Sequence, residues 1–123
     1  MKYNKVVVDH FAKPHNVGKI EDADGIGEVG SAACGDIMKI YLKIKNDVIE
    51  DIKFNTFGCG AAIAASSIAT TMIINKTLDE ALKITNKDVV EALGGLPANK
   101  IHCSVLVEEC IKAAIEDFNA KNQ

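Results

Sequence analysis

Three of the four cysteines lie where a hydrophobic core has no need of them. Cys34 stands in the sequence ACGD, Cys59 in FGCG and Cys103 in IHCS. Glycine beside a cysteine leaves the thiol sterically open and lets the backbone bend toward a ligand. Because the thiolate is the form of cysteine that binds metal ions and attacks sulfur, these segments indicate metal or sulfur chemistry.

Two further side chains extend this candidate site. Asp36 follows Cys34 by two residues, and His102 directly precedes Cys103. Thiolates select zinc, copper(I) or iron–sulfur clusters, and imidazole and carboxylate complete such ligand sets. The spacing C-x24-C-x42-H-C is not the paired spacing of a zinc ribbon or finger, so the prediction depends on a fold that brings distant residues together.

Helix starts strengthen the prediction for two of the cysteines. We expect Cys59 and Cys103 at the N-termini of two helices, where free N–H groups and the helix dipole favour the thiolate. If these thiols transfer sulfur, each needs an accessible thiolate rather than a buried one. Cys110 is different, because it lies one turn from Leu106 and Val107 on the apolar side of the last helix; we expect it in the core.

Composition limits the class of protein. The chain has 123 residues, 48% hydrophobic and 25% charged, which predicts a single domain over residues 1–123. A net charge of −3 and few aromatic residues argue against a nucleic-acid binder. The apolar run at 6–8 is too short for a signal peptide, so we expect a cytoplasmic protein with reduced thiols. Residues 54–75 lack charge, but the break at 58–60 leaves a helix too short to span a membrane.

Local patterns predict three strands. Residues 37–45 alternate between apolar and polar side chains, Asn46-Asp47 fits a two-residue turn, and 48–56 alternates on the way back. Residues 27–33 supply a third strand, since about three strands are needed for a stable small sheet.

Helical patterns occupy most of the rest of the chain. Helices are predicted at 3–12, 61–74, after the capping-box sequence that starts at Thr77, after Thr85, and from Ile101 to Asn119. Strands followed by helices predict an α+β fold, in which a three-stranded antiparallel sheet carries helices packed on one face.

The cysteine segments also carry a resemblance to a known family. Residues 33–36 (ACGD), 57–67 (FGCGAAIAASS) and 96–104 (LPANKIHCS) resemble, in order, the three signature blocks of the IscU/NifU iron–sulfur cluster scaffold family. VDHF and PHNVG near the start resemble its N-terminal segment, and residues 78–97 are especially similar to the N-terminal domain of NifU. The resemblance implies an IscU/SufE-like two-layer sandwich.

The resemblance implies an assembly scaffold rather than an enzyme. A cysteine desulfurase of the IscS/NifS type hands sulfur to the scaffold, Fe²⁺ joins it, and a transient 2Fe-2S cluster forms and passes to apo-proteins such as ferredoxins. By position, Cys34, Cys59 and Cys103 match the cluster cysteines, with Cys103 as the persulfide acceptor. Asp36 matches the aspartate whose loss traps the cluster, and His102 matches an alternate ligand.

One departure and two alternatives remain open at this point. The family's LPPVK segment, which is read by an Hsp70-type chaperone, is LPANK here, so dependence on that chaperone is in doubt. A zinc-dependent sulfur acceptor of the SufU type would bind one tetrahedral Zn²⁺ through Cys34, Asp36, Cys59 and Cys103, although the insertion usual in that type is missing. Zinc also suits the cluster-free scaffold. The second alternative is an interaction module with structural cysteines.

Overall fold

A computed structural model describes residues 3–31 and 35–122 of the chain. Three strands form one antiparallel sheet in the order β1-β2-β3, with β1 at Gly25–Ser31, β2 at Asp36–Lys45 and β3 at Val48–Phe57. The centre of β2 pairs with both neighbours, since Met38 lies opposite Val29 in β1 and Ile40 opposite Phe54 in β3.

Five α-helices and one 3₁₀ turn complete the described part of the chain. The helices are α1 (Lys5–Ala12), α2 (Gly60–Ile73), α3 (Leu78–Leu82), α4 (Asn86–Ala92) and α5 (Ile101–Lys121), and the 3₁₀ turn spans Ala98–Lys100. Thr77 and Thr85 are the N-caps of α3 and α4, and each forms a capping box. The threonine hydroxyl accepts the backbone N–H of the acidic residue three positions later, and that residue's side chain accepts the backbone N–H of the threonine.

The core lies between one face of the sheet and the helices. The alternating residues of β2 and β3 that face inward are almost fully buried, and α2 and α5 cover them. These inward residues are Met38, Ile40, Leu42, Ile52 and Phe54. Gly25 and Gly27 let α5 lie against β1, because a Cβ at either position would overlap backbone carbonyl oxygens of that helix. The predicted α+β layering is confirmed.

The local predictions hold with small shifts of boundary. Asn46 and Asp47 form the two-residue turn at φ 55° and 61°, the left-handed pair that a tight hairpin requires even without glycine. The first strand begins at Gly25 rather than at 27, and part of its predicted end, residues 32–33, lies outside the described residues. The predicted loop at 96–99 contains the start of the 3₁₀ turn.

Helix α1 is fastened to α2 and to the segment that precedes α5. The Ser67 hydroxyl lies 2.7 Å from His10 Nδ1 and accepts the backbone N–H of His15 at 2.8 Å. Asn4 caps α1 through Val7 N–H at 3.0 Å and donates to the Gly95 carbonyl at 3.3 Å.

Among the described helices, none combines the length and apolar character that crossing a membrane requires.

Candidate metal and sulfur site

Three secondary-structure elements meet at one end of the sheet and place three potential ligands together. Asp36 is the first residue of β2, Cys59 is the N-cap of α2, and Cys103 is the third residue of α5. One carboxylate oxygen and the two Sγ atoms all lie within 4.8 Å of one another. The two sulfur atoms are 3.7 Å apart, which brings Cys59 and Cys103 into direct contact across 44 positions of sequence.

The Asp36 carboxylate is fixed by the start of α2. Its side chain is buried, and Oδ1 accepts the backbone N–H of Cys59 at 3.2 Å. Oδ2 lies 3.8 Å from Cys103 Sγ, which donates to it, and 3.6 Å from His102 Nε2. An acidic group at a helix N-terminus is stabilised by the free N–H groups and the helix dipole. The carboxyl group of Asp36 is therefore held in the site at a defined position.

Gly58 makes room for that carboxylate. A Cβ at this position would overlap Asp36 Oδ1 and would lie 2.9 Å from the carboxyl carbon. The sequence pattern indicates only that glycine leaves Cys59 open; the contact with Asp36 could be found only from the fold. Gly58 is thus a positioning residue that the sequence analysis missed.

The two thiols differ in their exposure. Cys59 is half-buried, whereas Cys103 is fully buried. Burial raises the pKa of the Cys103 thiol, and the Cys59 sulfur and the Asp36 carboxylate raise it further. The expectation of an accessible thiolate at Cys103 is therefore wrong for this conformation, because desolvation and neighbouring negative charge outweigh the effect of the helix N-terminus.

Two basic side chains border the site. His102 is about one third exposed, and its Nε2 atom lies 3.6 Å from both Asp36 Oδ2 and Cys103 Sγ. Electrostatic interaction with Cys59, followed by smaller interactions with Tyr3, Cys103 and Asp36, raises the pKa of Lys100. Lys100 is thus a positive charge close enough to interact electrostatically with the site. His102 lies close to two of the potential ligands, Asp36 and Cys103.

The other two cysteines, Cys34 and Cys110, are not among these three ligands. Cys34 lies outside the described residues, one position before they resume at residue 35. Cys110 is in the core, as predicted, where its Sγ donates to the carbonyls of Gly27 and Met38 at 3.4 and 3.5 Å. Burial raises the pKa of Cys110 to about 12, so its thiol is neutral at ordinary pH.

The donor set suits a soft or borderline metal ion. Cys59 and Cys103 offer sulfur, Asp36 offers oxygen and His102 a nitrogen at the rim, which is the mixture that zinc and iron accept. A buried carboxylate and two thiols in mutual contact would repel one another once ionised. A metal ion would relieve that repulsion, so the site is chemically fitted to a cation.

Comparison with known proteins gives sequence relatives along nearly the whole chain. The family model described as NifU-like N terminal domain matches residues 2–123. The chain is 60% identical over 120 residues to iron-sulfur cluster assembly scaffold protein IscU 1 of Archaeoglobus fulgidus, which covers 98% of this chain and 78% of the relative. It is 48% identical over 127 residues to the IscU scaffold protein of Escherichia coli K12, which covers 100% of this chain and 98% of the relative.

Solved structures share the fold at lower identity. A SufU protein of the SUF system from Fervidobacterium islandicum AW-1 matches with a TM-score of 0.78 and 23% identity, over 92% of this chain and 96% of that one. The N-terminal part of a NifU-like protein from Brucella abortus matches with a TM-score of 0.81 and 19% identity, over 96% and 94%. These two likenesses establish the two-layer α+β architecture.

Proposed function

Because the chain belongs to the NifU-like N-terminal domain family, we propose that it is a scaffold on which an iron–sulfur cluster is assembled and from which it is passed on. A 2Fe-2S cluster is the cargo, built from Fe²⁺ and persulfide sulfur. Acceptors are apo-proteins such as ferredoxins. The chain works in the cytoplasm as one domain over residues 1–123, and it has no catalytic turnover of its own.

One observation carries the proposal beyond family membership. Asp36, Cys59 and Cys103 come from three separate elements, and their ligand atoms lie within 4.8 Å of one another. Cysteine is common in protein cores, where it packs as a small apolar residue. A buried carboxylate beside two contacting thiols does not stabilise a core, because burying a charged group costs free energy. In this proposal Cys34 is the third thiolate, and His102 and Asp36 compete for the remaining ligand position.

The mixed ligand set explains why the site would hold a cluster only temporarily. Four thiolates would hold a cluster as in a protein that keeps it for electron transfer. Three thiolates with a carboxylate or imidazole leave one weaker ligand, which a cysteine of the acceptor can replace. Asp36 provides such a ligand, and its charge also opposes the accumulation of negative charge on the sulfurs.

Sulfur reaches the site from a cysteine desulfurase of the IscS/NifS type, with Cys103 as the persulfide acceptor. Since Cys103 is fully buried and Cys59 half-buried, delivery requires that the start of α5 moves away from α2 or that the partner displaces it. The 3₁₀ turn at Ala98–Lys100 connects the preceding loop to α5, so we place the pivot of such a movement at this turn. Its altered sequence speaks against a dedicated Hsp70-type chaperone.

The ligand geometry favours one second candidate, a zinc-dependent sulfur acceptor of the SufU type. Two thiols and a carboxylate within 4.8 Å match three corners of a tetrahedral Zn²⁺ site. In that case zinc would hold Asp36, Cys59 and Cys103, with Cys34 as the fourth ligand. Zinc bound to the cluster-free scaffold is equally consistent with this donor set.

Anaerobic reconstitution separates the candidates. The chain is incubated with a cysteine desulfurase, cysteine and Fe²⁺, and its visible spectrum is followed before apo-ferredoxin is added. A scaffold develops sulfur-to-iron charge-transfer absorption and then activates the ferredoxin. A protein that stays colourless and accelerates the desulfurase only with zinc bound is the SufU-type acceptor. A protein that does neither contradicts both functions.

A further inference from the structure

The contact between Cys59 and Cys103 has a chemical consequence that cluster binding does not require. Their Sγ atoms are 3.7 Å apart, which is ordinary nonbonded contact for two sulfurs. Two thiolates that bind the same tetrahedral metal ion also lie roughly 3.8 Å apart, so this distance suits metal binding as well as a direct reaction between the sulfurs. Here the sulfurs face each other directly, and a single displacement step would join them.

We infer that Cys59 resolves the persulfide formed on Cys103 and releases its outer sulfur as sulfide. This inference rests on the proposed function, because it starts from a persulfide on Cys103. The Cys59 sulfur attacks the inner sulfur of that persulfide, and a Cys59–Cys103 bond forms while the bond to the outer sulfur breaks. The thiol of Cys59 and the persulfide thus become one disulfide and one molecule of hydrogen sulfide.

The step balances without a further reactant. The outer sulfur gains two electrons and leaves as sulfide, and the two cysteine sulfurs lose two electrons as they join. The proton of the Cys59 thiol and the proton of the persulfide both leave with the departing sulfur. A dithiol reductant restores the two thiols afterwards, so each chain yields one sulfide before it must be reduced.

Geometry selects the inner sulfur. In-line attack on the outer sulfur would need the two cysteine sulfurs roughly 5.5 Å apart, because an S–S bond of about 2 Å would lie between them and the attacking atom needs its own contact. The observed 3.7 Å is too short for that arrangement and already suits attack on the inner sulfur. Transfer of the persulfide from one cysteine to the other is therefore disfavoured relative to release of sulfide.

The surroundings also favour departure of sulfide. Asp36 Oδ2 lies 3.8 Å from Cys103 Sγ, and His102 Nε2 lies 3.6 Å from the same atom on the exposed side. The imidazole can donate a hydrogen bond to an anionic leaving sulfur, whereas the carboxylate repels it. Sulfide would therefore leave toward the His102 side of the site, where iron can reach it.

The test uses the full chain, freed of metal and of thiol reductant under anaerobic conditions. It is treated with one equivalent of glutathione persulfide and desalted at once, and released sulfide and intact mass are followed. The wild type is expected to release about one sulfide per chain and to lose the mass of two hydrogens, with Cys59 linked to Cys103 in the peptide map. Cys59→Ser is expected to keep the mass of one extra sulfur on Cys103 and to release at least about tenfold less sulfide in the same time.

Cys110→Ser is the matched control and is expected to release sulfide like the wild type. A wild-type chain that keeps its persulfide overturns the inference and leaves the proposed sulfur acceptance intact. Loss of sulfide release in Cys34→Ser instead of Cys59→Ser also overturns it. A chain that takes up no sulfur contradicts both the inference and the proposed role of Cys103. The peptide map of the wild type decides the matter even where a variant folds poorly.

Discussion

Cys103 and Cys110 lie on the same helix, two turns apart, and both are fully buried. Burial raises the pKa of both thiols. Their neighbours differ entirely. Cys110 contacts the backbone carbonyls of Gly27 and Met38, whereas Cys103 contacts the sulfur of Cys59, the carboxylate of Asp36 and the imidazole of His102.

This difference shows that burial by itself does not separate a cysteine held by backbone contacts from one that lies among potential ligands. Cys110 has two carbonyl acceptors and apolar walls, so its neutral thiol is satisfied as it stands. Cys103 is surrounded by other potential ligands, and its contacts with them become favourable only when a cation or a sulfur atom enters the site. Two cysteines of equal exposure can thus be told apart by whether their partners are backbone atoms or other potential ligands.

The largest contrast is expected in cluster loading. Cys103→Ser should reduce iron and acid-labile sulfide per chain at least about tenfold after anaerobic reconstitution, because it removes a thiolate from the site. Cys110→Ser should load like the wild type, since its hydroxyl can still donate to the same carbonyls. Equal loading of both variants would remove the distinction between the two cysteines.

Asp36→Ala is expected to change release rather than loading. Without its carboxylate the site loses the weaker ligand that an acceptor cysteine replaces, so transfer to apo-ferredoxin should slow by about tenfold, or about 1.4 kcal/mol in the barrier. Cluster content and transfer rate are both measured, the first by absorption and the second by ferredoxin activity. Transfer rates equal to those of the wild type would show that Asp36 does not control release.

Gly58→Ala should act through Asp36. Its Cβ would overlap the carboxylate, so the variant should slow cluster transfer as Asp36→Ala does and should lose about 1–3 kcal/mol of stability through overpacking. Gly60→Ala is the matched control, because its Cβ would meet the Phe11 ring at 3.4 Å, an ordinary contact. If the two variants transfer and unfold alike, Gly58 has no special role.

A smaller effect is expected in the pH dependence of stability of the metal-free chain. The folded protein holds Cys110 neutral up to a pKa of about 12, whereas an unfolded chain ionises this thiol near pH 9.0. Since the unfolded state then binds fewer protons, stability is lost as pH rises between these values, by about 2 kcal/mol near pH 10.5 for this one group. Burial also raises the pKa of Cys103, so this thiol likewise makes the folded state less stable as the pH rises.

Urea unfolding of the wild type and Cys110→Ser at pH 8 and near pH 10.5 measures this contribution. Serine does not ionise in this range, so the variant should lose less stability on going to the higher pH. The same loss in both proteins would mean that Cys110 does not remain neutral in the folded state.

Most of the fold was predictable from local pattern. The alternation in β2 and β3, the Asn46-Asp47 turn and the Thr77 capping box each involve neighbours in sequence, and each is found in the structure. Residue types and glycine contexts suggested that Asp36, Cys59 and Cys103 share one site, and the family resemblance supported this, but no local spacing brings these residues together.

What the sequence could not predict depends on packing between elements. The burial of Cys103 follows from the way the starts of α2, α5 and β2 meet, and the helix position alone suggests the opposite. Gly58 has the same character, since the group that needs its missing Cβ is Asp36, 22 positions earlier in the chain. Both features are specific to the site, where side chains serve ligands as well as packing.

Anaerobic titration with Co²⁺ tests most directly whether one site gathers these ligands. Tetrahedral binding through thiolates gives strong sulfur-to-metal absorption, which can be compared in the wild type, Cys59→Ser, Cys103→Ser and Cys110→Ser. We predict that this absorption is strong in the wild type and in Cys110→Ser and is reduced in each of the other two variants. Absorption that survives unchanged in both Cys59→Ser and Cys103→Ser would contradict a shared metal and cluster site.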